Sequence, residues 1–232
     1  SRRFIPEKNV THPLVRRTYG FAPEKGLAHR HIAMWQSHGL YFKPMANEWM
    51  WQRSMLWQTV EDLYTQSYVL EYLVPMLERA GATVLLPRER DFHREEYIVD
   101  NDGGSSDTKY REHKGRYAWT NSVTGFSFKE VLLSGENPFV MGTSRQAQTV
   151  QSVKQTPSTA IWRANILQDG EYALYVSYTT VKESIPDAHY TVHDDGADRT
   201  VLVNQRMGGG TWIYLGSYRF AKGKSQDNKI EL

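Results

Sequence analysis

Only one stretch of this chain carries a helical period, and it stands between two short apolar strands. Leu56, Val60, Leu63, Tyr64, Ser67, Leu70, Leu73, Met76 and Leu77 recur at three- and four-residue steps. That spacing predicts a helix from about Ser54 to Arg79 with one apolar stripe, capped by Ser54 or Thr59. Glu61 and Asp62 fall near its positive end. Pro75 sits inside the pattern and should kink or restart the helix, because it lacks a donor and crowds the preceding turn. Gly81 suits a left-handed stop. His31-Ile-Ala-Met-Trp-Gln36 precedes the helix as a short strand that runs into Ser37-His38-Gly39, and Thr83–Leu86 follows it as a buried strand. Strand, loop, helix, strand is a βαβ unit. In open α/β sheets, sites form at the carboxyl ends of strands, where His38 and Glu61 are expected to project.

After Asp91 the helical period disappears. Short alternating runs take over: Tyr97–Asp100, Arg116–Thr120, Ala160–Ile166, Tyr172–Thr179, His189–His193, Thr200–Gln205, Thr211–Phe220 and Lys229–Leu232. Turn signals at Asp194-Asp-Gly-Ala197, Met207-Gly-Gly-Gly210 and Lys222-Gly-Lys-Ser225 separate them. The expected fold class is therefore α/β plus all-β: a partial open parallel α/β sheet followed by an antiparallel β-sandwich. Residues 1–25, with Pro6, Pro13 and Pro23, read as an extended, wrapping segment. Residues 26–94 read as the α/β part and 95–232 as the sandwich, inserted into the α/β core. Two parallel strands and one helix cannot complete a core, so further strands are expected beyond Leu232.

Composition narrows the function classes. A net charge of +2 argues against a nucleic-acid partner, which needs a clustered basic face. No apolar run approaches the ~20 residues of a membrane span. No signal peptide is expected, since Ser1-Arg-Arg-Phe4 is not followed by an apolar core. The absence of cysteine removes disulfides, thiolate metal sites and a Cys nucleophile.

His38 and Glu61 offer an imidazole and a carboxylate, both good zinc ligands, but a catalytic zinc takes three protein ligands and a water. The same spacing fits a polar pair held by hydrogen bonds at a loop. Trp35, Trp49, Trp51 and Trp57 cluster around this point. Such rings either stack on sugars or pack a loop over the sheet. Met207-Gly-Gly-Gly210 is flanked by strands and reads as a turn needing positive φ, not a phosphate loop. Asp100-Asn-Asp-Gly103 lacks the later ligands of a calcium loop and reads as a plain turn. His29 and His31 lie at the wrong end of their strand to join a site. Asp187 and Asn204 read as turn or ladder residues.

The stretch from about Arg30 to Asp91 resembles the zinc-dependent N-acetylmuramoyl-L-alanine amidases. The resemblance rests on Ser37-His38-Gly39 at a strand end, on Glu61 at the next helix start, and on Gly81-Ala-Thr-Val-Leu-Leu-Pro-Arg88-Glu-Arg-Asp91 as the strand exit. It implies one zinc ion held by His38 and Glu61, with Arg88, Trp35 and Trp49 toward the substrate. In that family zinc polarises the scissile carbonyl and activates a water, while a general base takes the proton. Ser37, Leu40 and Pro87 depart from the family pattern. A third ligand and the late catalytic Glu have no counterpart here: none of His93, His113, His189 and His193 follows a sheet strand in the required way. This chain alone is expected to be inactive.

Tyr172–Tyr178, Ser184–His193 and Val203–Gly216 make residues from about Glu95 to Leu232 similar to the golvesin C-terminal, xanthan-lyase-associated β domain, often taken as carbohydrate-binding-like. Together the two resemblances imply an exported protein of the periplasm or cell surface, of the kind found in Bacteroides relatives. Peptidoglycan or another glycan would be its partner, with the remainder of a parent protein completing the hydrolase. The alternatives are a non-catalytic glycan-binding module and a polysaccharide (xanthan) lyase-related protein.

Overall fold

A computed structural model of the chain describes residues 12–87, 90, 95–130, 132–133, 135–224 and 226–232. Arg88, Asp91 and His93 lie outside the described residues. The chain divides into two compact units. One comprises Ser1–Pro13 and Phe21–Phe92, the other Leu14–Gly20 and His93–Leu232.

In chain order the early elements are β1 (Val15–Arg17), β2 (His31–Ala33), β3 (Leu40–Lys43), β4 (Glu48–Trp51), β5 (Met55–Leu56) and β6 (Thr59–Val60). A helical stretch follows: α1 (Glu61–Tyr68), a π-helical turn (Val69–Leu73) and α2 (Val74–Arg79). Then come β7 (Thr83–Leu85), β8 (Val99–Asp100), β9 (Gly103–Gly104), β10 (Thr108–His113), β11 (Thr120–Gly125) and β12 (Gly142–Gln146). The last are β13 (Thr159–Ala164), β14 (Gly170–Val176), β15 (Ala188–Asp194), β16 (Ala197–Val203), β17 (Ile213–Phe220) and β18 (Lys229–Glu231).

In the first unit β2 and β7 pair in parallel, His31 opposite Thr83 and Ala33 opposite Leu85, with the helical stretch between them in sequence. The parallel sheet consists of these two strands among the described residues. Pro75 sits in the first turn of α2, directly after the π-helical turn, so the helix restarts where the sequence required it. Gly81, at φ +100°, ends it. The Ala82 N–H donates to the Leu77 carbonyl and the Gly81 N–H to the Glu78 carbonyl, the paired bonds of a Schellman stop. A Cβ at Gly81 would lie 2.9 Å from the Ala28 backbone.

Two expectations for this helix are corrected. It starts at Glu61, not Ser54, and its N-cap is Val60 with no side-chain cap. Met55–Val60 instead forms the β5–β6 hairpin, turning through Trp57 and Gln58, both at positive φ. The apolar stripe is also rotated. Leu63, Tyr64, Leu73 and Met76 are exposed, while Asp62, Gln66 and Val74 are buried. Val69, Val74 and Leu77 pack with Ile32, Met34, Val84 and Leu86. Three-to-four spacing cannot distinguish two overlapping stripes, and the one-residue π insertion shifts the phase between them.

The second unit is all-β. Its main sheet is antiparallel in the order β1-β16-β15-β18-β13-β10, and β14 pairs with β17 as a separate ribbon. β17 lies against β15. Tyr190, Val192, Val201 and Val203 are buried in the main sheet, and Ile213, Leu215, Tyr218 and Phe220 on β17. Asp195-Gly196 makes a two-residue turn with both residues at positive φ, joining Asp194 to Ala197 as Asp-Gly hairpins do. Gly208 and Gly210 also take positive φ, in agreement with a turn at Met207–Gly210. The expected strand Arg116–Thr120 is not formed. Its Trp119 donates from a loop to the Thr159 carbonyl at 3.1 Å, only Thr120 enters a strand (β11), and β10, β11 and β12 form where no strand was expected. Those strands are polar, and charged groups such as the Glu112–Arg145 pair, at 2.6 Å, hold them. Hydrophobic alternation could not reveal them.

Asp100-Asn-Asp-Gly103 is the tight β8–β9 turn. Burial pushes the Asp100 carboxyl up to about 6, opposed by the Asp102 backbone N–H and reinforced by the Asp102 charge. The folded state therefore holds this proton more tightly than the unfolded chain, whose carboxyl titrates near 3.8. Asp100 favours the fold at low pH and loses that contribution as pH rises through 6. Carboxyl-carbon NMR should show this titration midpoint, and Asp100→Asn should flatten the pH dependence of unfolding between 4 and 6. Leu215, 0% exposed, gives a separate check. Leu215→Ala should lower unfolding stability by about 2–5 kcal/mol in denaturant titrations.

Candidate functional site

His38 lies in the loop after β2, five residues beyond its last residue Ala33, and Gly39 next to it takes φ +69°. The side chain brought to it is Asp62, not Glu61. Asp62 is 0% exposed in the first turn of α1, and it accepts from the Ser37 hydroxyl and, at 3.0 Å, from the His38 N–H. Its Oδ1 is 3.7 Å from His38 Nδ1. Burial works against its charge, but the Ser37 hydroxyl and the Gly39 and His38 N–H groups outweigh burial and hold its carboxyl below the usual range. Glu61, one residue earlier, is exposed. A helix turns about 100° per residue, so adjacent acids face different ways, and the one turned inward ties the loop to the helix.

The residues present do not by themselves make a catalytic zinc set. Among the described residues no group of three or more His, Asp or Glu is placed to hold a metal ion. The Arg53 guanidinium lies against the His38 ring, with Nε 3.4 Å from Nδ1 and Nη2 3.3 Å from Nε2. A fixed positive charge at both ring nitrogens opposes a second cation there. Trp35 meets His38 edge-on with centroids 5.7 Å apart, and Trp49 meets Phe42 likewise on the β3–β4 hairpin. Both indoles are exposed, at 63% and 67%. The structure thus gathers His38, Trp35 and Asp62, sets Trp49 on the neighbouring hairpin, and leaves Glu61 facing solvent. Asp62→Ala should free the His38 and Gly39 amides. Hydrogen exchange at those two amides should accelerate at least tenfold while exchange on β2 and β7 changes less.

A second candidate site lies in the all-β unit, at a place the sequence reading missed. A polar cavity of about 400 Å³ opens beside the β15–β16 turn and the ends of β14 and β17. Asp169, Glu171, Asp194, Asp195, Arg199 and Arg219 line it. Asp194 is 1% exposed. Its Oδ2 is 3.4 Å from Arg199, and its buried Oδ1 has no hydrogen-bond partner. Asp169 accepts from the Lys222 N–H at 2.6 Å, and Arg199 also lies over the Tyr19 ring at 5.8 Å. Glu171 and Arg219 face each other across the β14–β17 ladder.

Along the same ladder a bulge falls between Leu174 and Tyr175, where Gly216 takes φ +141°. Leu215 and Gly216 are both buried, so the extra residue of β17 is absorbed inward and Tyr214 emerges on the face that carries Ser217 and Arg219. Tyr214 and Tyr175 form a half-buried tilted pair, centroids 5.3 Å apart, and the Tyr214 hydroxyl lies 3.0 Å from that of the cavity residue Ser217. The signal for this site was present in the Asp-Asp-Gly turn, but only pairing places that turn beside β14 and β17.

No helix among the described residues is long and apolar enough to cross a membrane. Comparison with curated proteins and with solved structures gives no match. Residues 140–232, less than half of the chain, match the family model described as the Golvesin C-terminal domain, a narrower span than the resemblance from Glu95, and this segment carries every residue that lines the polar cavity.

Proposed function

We propose that the all-β unit is a non-catalytic glycan-binding module and that the cavity with its tyrosine pair is the binding face. The observation that carries this is the juxtaposition of a 400 Å³ polar cavity with the Tyr175–Tyr214 pair on one ribbon. Sugar rings have an apolar face that packs on aromatic rings and hydroxyls that take planar carboxylate and guanidinium partners. The cavity supplies the polar partners and the neighbouring tyrosine pair on the same ribbon the aromatic face. The Golvesin-type match over residues 140–232 supports a β module at this place. Peptidoglycan or another surface glycan is the proposed partner, with an exported location at the periplasm or cell surface. Affinity electrophoresis in polysaccharide gels should show retardation of the chain. Tyr214→Ala and Tyr175→Ala should each weaken binding about tenfold or more while His38→Ala leaves it unchanged. Retardation untouched by both tyrosine variants would reject this face.

The second reading is an N-acetylmuramoyl-L-alanine amidase-type segment in the first unit. One observation favours it: β2 and β7 run parallel around a helix, with His38 in the loop that follows β2 and Glu61 as the first helical residue. It requires Arg53 to leave the His38 ring and a further ligand from outside the described residues. Elemental analysis of the purified chain beside His38→Ala and Glu61→Ala tests it. Near-stoichiometric zinc lost in both variants supports the amidase-type pair. A wild-type chain without zinc means that the pair holds no metal on its own.

A further inference from the structure

The main sheet carries at its edge a strand that comes from far away in sequence. Leu14–Gly20 belongs to the all-β unit, whereas Ser1–Pro13 before it and Phe21–Phe92 after it belong to the first unit. Within this segment β1 pairs with β16, Val15 opposite Val203, Arg16 opposite Leu202 and Arg17 opposite Val201. The Asn204 N–H donates to the Leu14 carbonyl at 2.9 Å and the Thr18 N–H to the Thr200 carbonyl at 3.1 Å, which extends the ladder at both ends. Three side chains anchor the segment. Leu14 is 1% exposed, and its Cδ1 fills the space left by Gly208, where a Cβ would come within 2.9 Å of it. The Arg17 Nε donates to the Leu215 carbonyl at 3.4 Å. The Tyr19 hydroxyl lies 2.7 Å from that of Tyr218, and the Arg199 guanidinium lies over the Tyr19 ring.

The acceptor side of this contact stands on its own pairing. β16 is paired along its whole length with β15, from Ala197 opposite Asp194 to Val203 opposite Ala188. Val201, Val203, Ile213, Leu215 and Tyr218 are buried there, and all lie within residues 140–232, the span that matches the family model, whereas β1 lies outside it. The three pairs of β1 are a short ladder beside the seven of β15 and β16, so this edge opens more readily than the sheet behind it. An extended segment on a sheet edge, with backbone hydrogen bonds for affinity and side-chain pockets for selectivity, is the way sheets bind peptides. We propose that the β16 edge is a peptide-binding groove and that Leu14–Tyr19 occupies it in cis as a built-in competitor. Its ligand in trans is an extended peptide with leucine, arginine and tyrosine at the spacing of Leu14, Arg17 and Tyr19. The leucine enters the pocket at Gly208, the arginine reaches the Leu215 carbonyl and the tyrosine the Tyr218 hydroxyl. This groove is independent of the glycan-binding reading.

Fluorescence anisotropy with a labelled peptide of residues 12–20 tests this on the full chain. Leu14→Asp places a charge in the Gly208 pocket, which should release the cis segment and leave β16 unaltered. The peptide should bind that variant saturably and at least tenfold more tightly than the wild-type chain, whose groove is filled. The same peptide with its leucine replaced by aspartate should bind at least tenfold more weakly. Near-UV circular dichroism and the unfolding midpoint show whether the fold is kept. Where Leu14→Asp unfolds the chain, the double variant Arg17→Ala with Tyr19→Phe takes its place. It removes two anchors without charging the core, and the peptide should again prefer it to the wild type. Absence of saturable binding to a folded variant, equal affinity for variant and wild type, or indifference to the leucine overturns the groove. Loss of the fold in both variants overturns it as well, because the segment is then integral to the sheet rather than a ligand on it.

Discussion

The inner face of β17 is the contact on which the second unit depends. Ile213, Leu215, Tyr218 and Phe220 are buried there, against a sheet whose own buried residues include Tyr190, Val192, Val201 and Val203. Burial at this density supplies the dominant favourable term in folding, at roughly 25 cal/mol per Å² of apolar surface removed from water. It also fixes direction. A strand with four anchored side chains cannot slip by one residue without turning all of them to solvent. The same register fixes the backbone positions of the outward residues Tyr214, Ser217 and Arg219.

The bulge at Gly216 is where packing and function meet. Strict alternation along β17 would put Leu215 outside and Tyr214 inside. The extra residue lets Leu215 stay in the core and delivers Tyr214 to the cavity face beside Tyr175. A Cβ at residue 216 would meet Arg17 at 3.1 Å and the Tyr218 ring at 3.3 Å, at a φ that L side chains rarely adopt. One glycine thus allows a buried leucine and a presented tyrosine in adjacent positions. The tight β15–β16 turn contributes in the same way: Asp195-Gly196 reverses the chain in two residues and leaves Asp194 buried at the strand end.

The first unit shows the opposite balance. Its buried cluster is small, centred on Val74, Ala82 and Val84, while Trp35, Trp49, Met55, Leu56 and Trp57 remain exposed. Polar ties do work there that packing does elsewhere. Asp62 gathers Ser37 and the His38 amide and so fixes the loop after β2 to the start of α1. The charge at that helix start is placed where the helix dipole favours it. These ties make the His38 loop a polar corner anchored to the helix start.

Several features follow from the sequence by local physics alone. The β2–helix–β7 order, the restart at Pro75, the stop at Gly81 and the Asp-Gly hairpin each depend on a residue type whose backbone preference acts within a few positions. The strands β13 to β18 were legible for the same reason, through aromatic and β-branched alternation. Other features needed the tertiary structure. The buried side of the first helical turn was set by its tertiary neighbours rather than by the apolar spacing, so Asp62 rather than Glu61 meets His38. The polar strands β10 to β12 carry no hydrophobic signal and are specified by the neighbours they pair with. The cavity joins Asp169, Asp194 and Arg219 from separate stretches of chain. No spacing rule encodes that meeting, because long-range strand pairing and burial, not local backbone preference, bring those residues together.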